Sequence, residues 1–199
     1  MMDIEMGEIK EDKTLTLGSG DEKISILLLK EEIGLGLIGM INSKLFPMNV
    51  GLVALSGKPE DDQFCIAARS HSKDGKGQFV AMDEKLIEGL RSKTDEAIFA
   101  LLHELGHLVN NDSVSAGEEF ERYNHARMDK VQNGEVLDME LRADAFATKY
   151  LGTQAAANAL RALMEREKAY YSSDDFDEGD LQIALDEIEY RIKHLERAT

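Results

Sequence analysis

Two rhythms of apolar residues divide the chain near Thr94. Upstream, apolar residues come in short runs bounded by polar, turn-forming stretches. ISILLL at 24–29, VGLVAL at 50–55, QFCIA at 63–67 and QFVAM at 78–82 are such runs, and their length and composition predict strands. HSKDGKG at 71–77 predicts a hairpin connection, its Asp74-Gly75 pair favouring a tight turn. Residues 1–20 are polar and read as a loose tail or a weak edge strand. Leu35 to Phe46 reads as a short helix broken at Pro47, although runs this short do not separate helix from strand.

Downstream, Ile98, Leu101, Leu102, Leu105, Leu108 and Val109 form a helical stripe. Thr94 can cap this helix, Asp95 and Glu96 suit its positive end, and Asn110 and Asn111 can close it. Residues 112–134 are polar and predict a loop or partial helix. Glu135 to Leu151 reads as a second helix stopped by Gly152, and a third runs from Thr153 to about Glu167. An acidic linker, YSSDDFDEGD at 171–180, precedes a last helix with Leu181, Leu185, Ile188, Ile192 and Leu195 at heptad spacing. Two heptads are too few for a free coiled coil, so this stripe is expected to pack on the body or on a second copy in a homodimer. The expectation is an α+β fold, with a small antiparallel or mixed sheet beside the first helix and a helical C-terminal part. The organisation that follows is a polar tail at 1–20, a core at 21–152 and a helical extension at 153–199.

Composition narrows the function. The 39 acidic against 23 basic residues leave a formal charge of −16, and no stretch clusters the Lys and Arg that phosphate neutralisation needs. Nucleic acid is therefore not an expected partner, and an anionic membrane surface would repel the chain. Cys65 is the single cysteine, which rules out an intrachain disulfide; it reads as a small buried residue in its strand. The N-terminal MMDIEMGEIKEDK lacks the order of a signal peptide, and the apolar run Leu35 to Ile41 is too short to span a bilayer. A soluble, cytoplasmic protein is the expectation.

The candidate chemistry sits within IFALLHELGHLV at 98–109. Residues four apart on a helix share a face, with Cβ atoms roughly 5–6 Å apart, so His103 and His107 can ligate one zinc ion. Glu104 lies about 100° around the helix from His103. It is thus available as general base to a water whose pKa zinc lowers toward roughly 7. Burying two imidazoles and a carboxylate in an otherwise apolar run would be costly without such a purpose. A metzincin would continue with Gly at 110 and His at 113; Asn110 and Ser113 exclude that class. ELRAD at 140–144 supplies the alternative, Glu140 as third ligand and Asp144 on the same face to accept the free ring N–H of a ligand histidine, His103 foremost. Ala143, Ala145 and Ala147 would let the two helices approach. Glu118, Glu119, Glu121 and Glu135 lack an Asp four residues on and rank behind.

This pair of motifs resembles the gluzincin metallopeptidases, the group that includes thermolysin. Residues 78–112 and ELRADAFATKYLG at 140–152 are similar to the zinc helix and third-ligand helix of the family of the bacterial heat-shock membrane protease and the CAAX prenyl protease. The resemblance covers roughly 78–168. It implies a zinc-dependent peptidase acting on a protein or peptide substrate, with the strand at 78–82 bordering the cleft and an edge strand binding extended substrate. Relatives in that family usually carry transmembrane helices, which this chain lacks; the minigluzincins and ImmA-type proteases share the core without them. A gluzincin also needs a donor for the tetrahedral oxyanion. Tyr123, His125, Arg142 and Tyr150 are the candidates, and His125 is the choice because it sits in the polar insert between the ligands. The competing reading is a catalytically silent or latent zincin fold that binds or regulates a partner. The intact Glu104 argues against silence, since a structural zinc site has no use for it.

Overall fold

The computed structural model describes residues 11–33, 36–54, 67–71, 78–112, 118–171 and 178–197. It is α+β. Six strands, β1 (Glu11–Leu17), β2 (Ile24–Ile33), β3 (Leu37–Ser43), β4 (Val50–Ala54), β5 (Ala67–His71) and β6 (Gln78–Met82), form one sheet in the order β1-β2-β3-β4-β6-β5. The sheet is mixed. β4 and β6 run parallel, and every other neighbouring pair is antiparallel.

Among the described residues six α-helices follow: α1 (Glu84–Ser92), α2 (Asp95–Asn110), α3 (Glu118–Gln132), α4 (Asp138–Leu151), α5 (Thr153–Tyr171) and α6 (Glu178–Arg197). None of the described helices is long and apolar enough to cross a membrane.

Period-two burial explains the sheet. Ile24, Ile26 and Leu28 of β2 are buried while Ser25 and Leu27 between them are half-buried, as expected when one face of a sheet is covered. Pairing with strands on both sides overturns the helix expected at 35–46. Ile38 and Ile41 turn inward from β3 while Met40 is exposed. Gly39 lets β2 come close, since a Cβ there would stand 2.6 Å from the Leu27 carbonyl oxygen. Glycine also weighs against a helix, and pairing with β2 decides the matter.

Of the two readings of the N-terminal segment, residues 11–17 take the edge strand. The 72–77 connection, most of QFCIA and Cys65 lie outside the described residues, as does most of the acidic linker. The polar stretch after residue 112 is helical over Glu118–Gln132.

α1 is anchored at both ends. Asp83 accepts from the Leu86 N–H at 2.8 Å, and Arg91 donates to the Leu29 carbonyl at 2.7 Å. Lys93 in the left-handed region turns the chain into α2, which Thr94 caps by accepting from Ala97 N. One continuous core takes side chains from the sheet, α1, α2, α4, α5 and α6. The stripe of the last helix is used inside this chain, with Ile188, Ile192 and Leu195 buried in that core. Arg166 of α5 ties back to Asp83 and Glu96 at 2.7 and 2.9 Å, so α5 runs alongside α2 in the opposite direction.

Candidate metal centre

α2 and α4 touch closely because Gly106 presents no side chain. A Cβ there would stand 2.9 Å from Ala143 Cα and 3.1 Å from both the Ala143 carbonyl oxygen and Phe146 Cβ. Ala143 and Ala147 are fully buried on the facing helix; Ala145, expected to share this role, is exposed. The apposition carries Glu140, in the first turn of α4, up to His103 and His107. A helix's positive N-terminal end favours a carboxylate there.

Among the described residues, His103, His107 and Glu140 are the group whose ligand atoms converge as a metal site would require, and all three are buried. His103 Nε2 is 3.1 Å from His107 Nε2 and 3.2 Å from Glu140 Oε2. His107 Nε2 is 3.6 Å from Glu140 Oε1. Zinc–ligand bonds of about 2.0–2.1 Å in a tetrahedron place ligand atoms about 3.3–3.4 Å apart. The triangle of donors has that size, and two imidazoles with a carboxylate are a donor set that zinc takes. The residues fit a divalent cation of this kind.

The tautomers agree with the same arrangement. His103 Nδ1 donates to Asp144 Oδ1 at 2.8 Å, and His107 Nδ1 donates to Asp112 Oδ2 at 3.3 Å. Each ring therefore turns its Nε2 toward the centre, where it would be bare of a proton once a metal is bound. Each carboxylate is in turn held by an arginine. Arg191 of α6 donates to both oxygens of Asp144, at 2.8 and 2.6 Å, and Arg142 donates to Asp112 Oδ1 at 2.7 Å.

Asp112 reaches back under His107 because Asn111 adopts the left-handed conformation (φ 55°). The chain then folds over the helix end, and the Asp112 N–H bonds the His107 carbonyl at 2.9 Å. Sequence reasoning missed both Asp112 and Arg191. The first carried a signal, a short acidic residue just past a helix-ending Asn pair. The second lies 88 residues from the histidine it supports and carried none.

The electrostatics of the centre call for a positive charge. Burial and Arg191 both oppose a charge on His103, yet hydrogen bonds to Asp144 and Glu140 outweigh them and raise its pKa to about 10. Burial pushes the Glu140 carboxyl up, but bonds from the two imidazoles hold it well below the usual carboxylate range. Asp144 behaves likewise: burial raises it, and the Arg191 guanidinium more than reverses the effect. A proton in the His103–Glu140 pair and a metal cation between the same atoms answer the same field.

No protein-family model, curated protein or solved structure matches this chain. The site is thus read from its own geometry.

A cleft of about 230 Å³ opens beside the centre between α2, α3, α5 and α6, lined by Glu104, His103 and Glu140 at one end. Glu104 is half-buried in its wall. Of the oxyanion candidates, Tyr123 lines this cleft and donates its hydroxyl to Glu140 Oε1 at 3.0 Å; burial and the Glu140 charge raise its pKa, so it stays a donor. His125 is exposed and is not among the cleft-lining residues. Arg142 serves Asp112, and the Tyr150 hydroxyl bonds the Glu22 carbonyl at the β1–β2 connection.

The strand expected to border the cleft, β6, is interior to the sheet. β5 lies beyond it as the last strand of the described order, and α2 packs against both strands.

Proposed function

We propose that this chain is a zinc-dependent endopeptidase of the gluzincin type. The observation that carries the reading is the triangle of His103, His107 and Glu140 donor atoms at tetrahedral spacing, beside a cleft that Glu104 lines. A closed structural zinc site uses four protein ligands, whereas three leave one position for chemistry. His103, His107 and Glu140 would hold the ion, and zinc there would supply a Lewis acid that polarises a peptide carbonyl and acidifies a water.

The protein's own groups do the rest. Glu104 accepts a proton from the attacking water and returns it to the leaving amine as the C–N bond breaks. Tyr123 donates its one O–H to the Glu140 carboxylate and so holds that ligand in place. Asp144 and Asp112 fix the two imidazole tautomers so that neither ring rotates away from the centre. Among the described strands β5 is the outermost on this side of the sheet, and extended substrate would add along its outer edge.

The test is Glu104→Gln with metal content measured alongside cleavage of an unbiased peptide library. The variant is expected to retain zinc and lose turnover by several orders of magnitude. Substantial residual turnover would remove Glu104 from the base role. A zinc-loaded wild type that cuts no library member would sink the peptidase reading in favour of a silent binding module.

A further inference from the structure

We propose that the cleft leading from the metal-ligating residues to Glu167 is a subsite for a basic side chain of the substrate, lysine or arginine, with Glu167 as its specificity-determining residue; this deepens the peptidase reading and rests on it. The cleft has the two halves such a side chain needs. Its walls are apolar along Phe99, Leu160 and Leu163, which suits a methylene stem. Glu167 stands on the same face of α5, two helical turns beyond Leu160, which is about 10 Å by helical rise.

Among the described residues, none answers the charge of Glu167 in this cleft directly. Arg127, the nearest cation from α3, is bonded to Glu187 at 2.6 Å. Arg166 is committed to Asp83 and Glu96. Arg191 holds Asp144, and Glu140 is taken by the imidazoles and Tyr123. Glu167 itself makes no hydrogen bond or ion pair with any described residue. Burial and the Glu187 charge raise its pKa to about 7 against the opposing pull of Arg127 and Arg166. A lysine or arginine head seated there would restore the ionised form and give the carboxylate its missing partner. A neutral aliphatic side chain would fill the walls but leave Glu167 without one.

The experiment separates this proposal from the reading beneath it. Three hydroxamates carry the same metal-chelating group and differ only in the adjacent side chain, lysine, norleucine or glutamate. Their binding to the zinc-loaded full chain is measured by calorimetry, which needs no turnover. The lysine compound should bind about ten-fold tighter than norleucine or better, the scale of one hydrogen bond to a charged group, and the glutamate compound should bind weakest. Glu167→Gln should erase the lysine preference while leaving norleucine affinity near that of the wild type. Equal binding of lysine and norleucine, or a lysine preference that survives Glu167→Gln, overturns the subsite while the metal centre stands. Failure of all three to bind removes the metal centre and the subsite with it.

Discussion

Replacing Gly106 with alanine tests the helix approach on which the ligand triangle depends. The new Cβ would stand 2.9 Å from Ala143 Cα. Non-bonded carbons settle at roughly 3.5–4.0 Å, so α4 must withdraw by about 0.6 Å or more at this level. Backbone atoms cannot swing aside as a side-chain tip would. Glu140 lies one turn before Ala143 on the same helix and retreats with it. The Glu140-to-imidazole separations, now 3.2 and 3.6 Å, would lengthen toward about 4 Å, whereas a zinc tetrahedron needs about 3.3 Å and metal sites tolerate only about 0.2 Å of error per bond. Alanine gains about 1 kcal/mol of helix propensity over glycine and overpacking costs about 1–3 kcal/mol. The metal-free variant should therefore lose only about 1 kcal/mol in urea denaturation. Zinc affinity, read by competition with a chromophoric chelator, should fall about 100-fold or more, or about 3 kcal/mol. A folded Gly106→Ala protein with wild-type zinc affinity would refute the reasoning.

Three further outcomes are expected. Arg191→Met leaves Asp144, which is 0% exposed, as a buried carboxylate with His103 as its remaining partner. Breaking such a pair from one side should cost about 3–5 kcal/mol in chemical denaturation, and a loss under about 1 kcal/mol would contradict it. Asp112→Ala frees the His107 ring and should weaken zinc binding by about 10- to 100-fold, with unchanged affinity counting against the bond to Nδ1. Glu167→Gln should alter the pH dependence of stability. The folded pKa of about 7 lies above the usual 4.5, so the wild type keeps full stability below about 4.5 and loses some as pH rises through about 7. The glutamine variant does not titrate there. It should gain about 1–2 kcal/mol over the wild type at pH 8, after discounting for solvent around the partly exposed group, and nothing at pH 4. Denaturation curves that stay parallel at both pH values would sink this.

How far the site could be read in advance depends on how local its contacts are. The four-residue spacing in HELGH and ELRAD put His103 beside His107 and Glu140 beside Asp144, because helical periodicity alone sets those pairs. The encounter of the two helices also left a trace, in the small residues Ala143 and Ala147, whereas the close approach at Gly106 became visible only in the fold. Asp112 acts through a single left-handed residue, Asn111, and such reversals are hard to separate from ordinary helix ends. Arg191 acts across 88 residues, a distance over which one sequence records no pairing. The sheet shows the same limit. β2 and β4 follow from their apolar runs, yet β3 was mistaken for a helix because its identity rests on the partner strand. α1 was not foreseen at all. Its Asp83 cap was visible, but nine residues are short for an amphipathic stripe to declare itself.

The Arg191–Asp144 contact sets a schedule for the protein's biosynthesis. A ribosome delivers α2 well before α6, and at about 5–20 residues per second the 80-odd residues from the end of α2 to Arg191 emerge over several seconds or more. Through that interval Asp144 has no guanidinium, and the nascent chain carries only half of the scaffold behind His103. The scaffold behind His103 is therefore complete only after residue 191 has left the exit tunnel and α6 has docked.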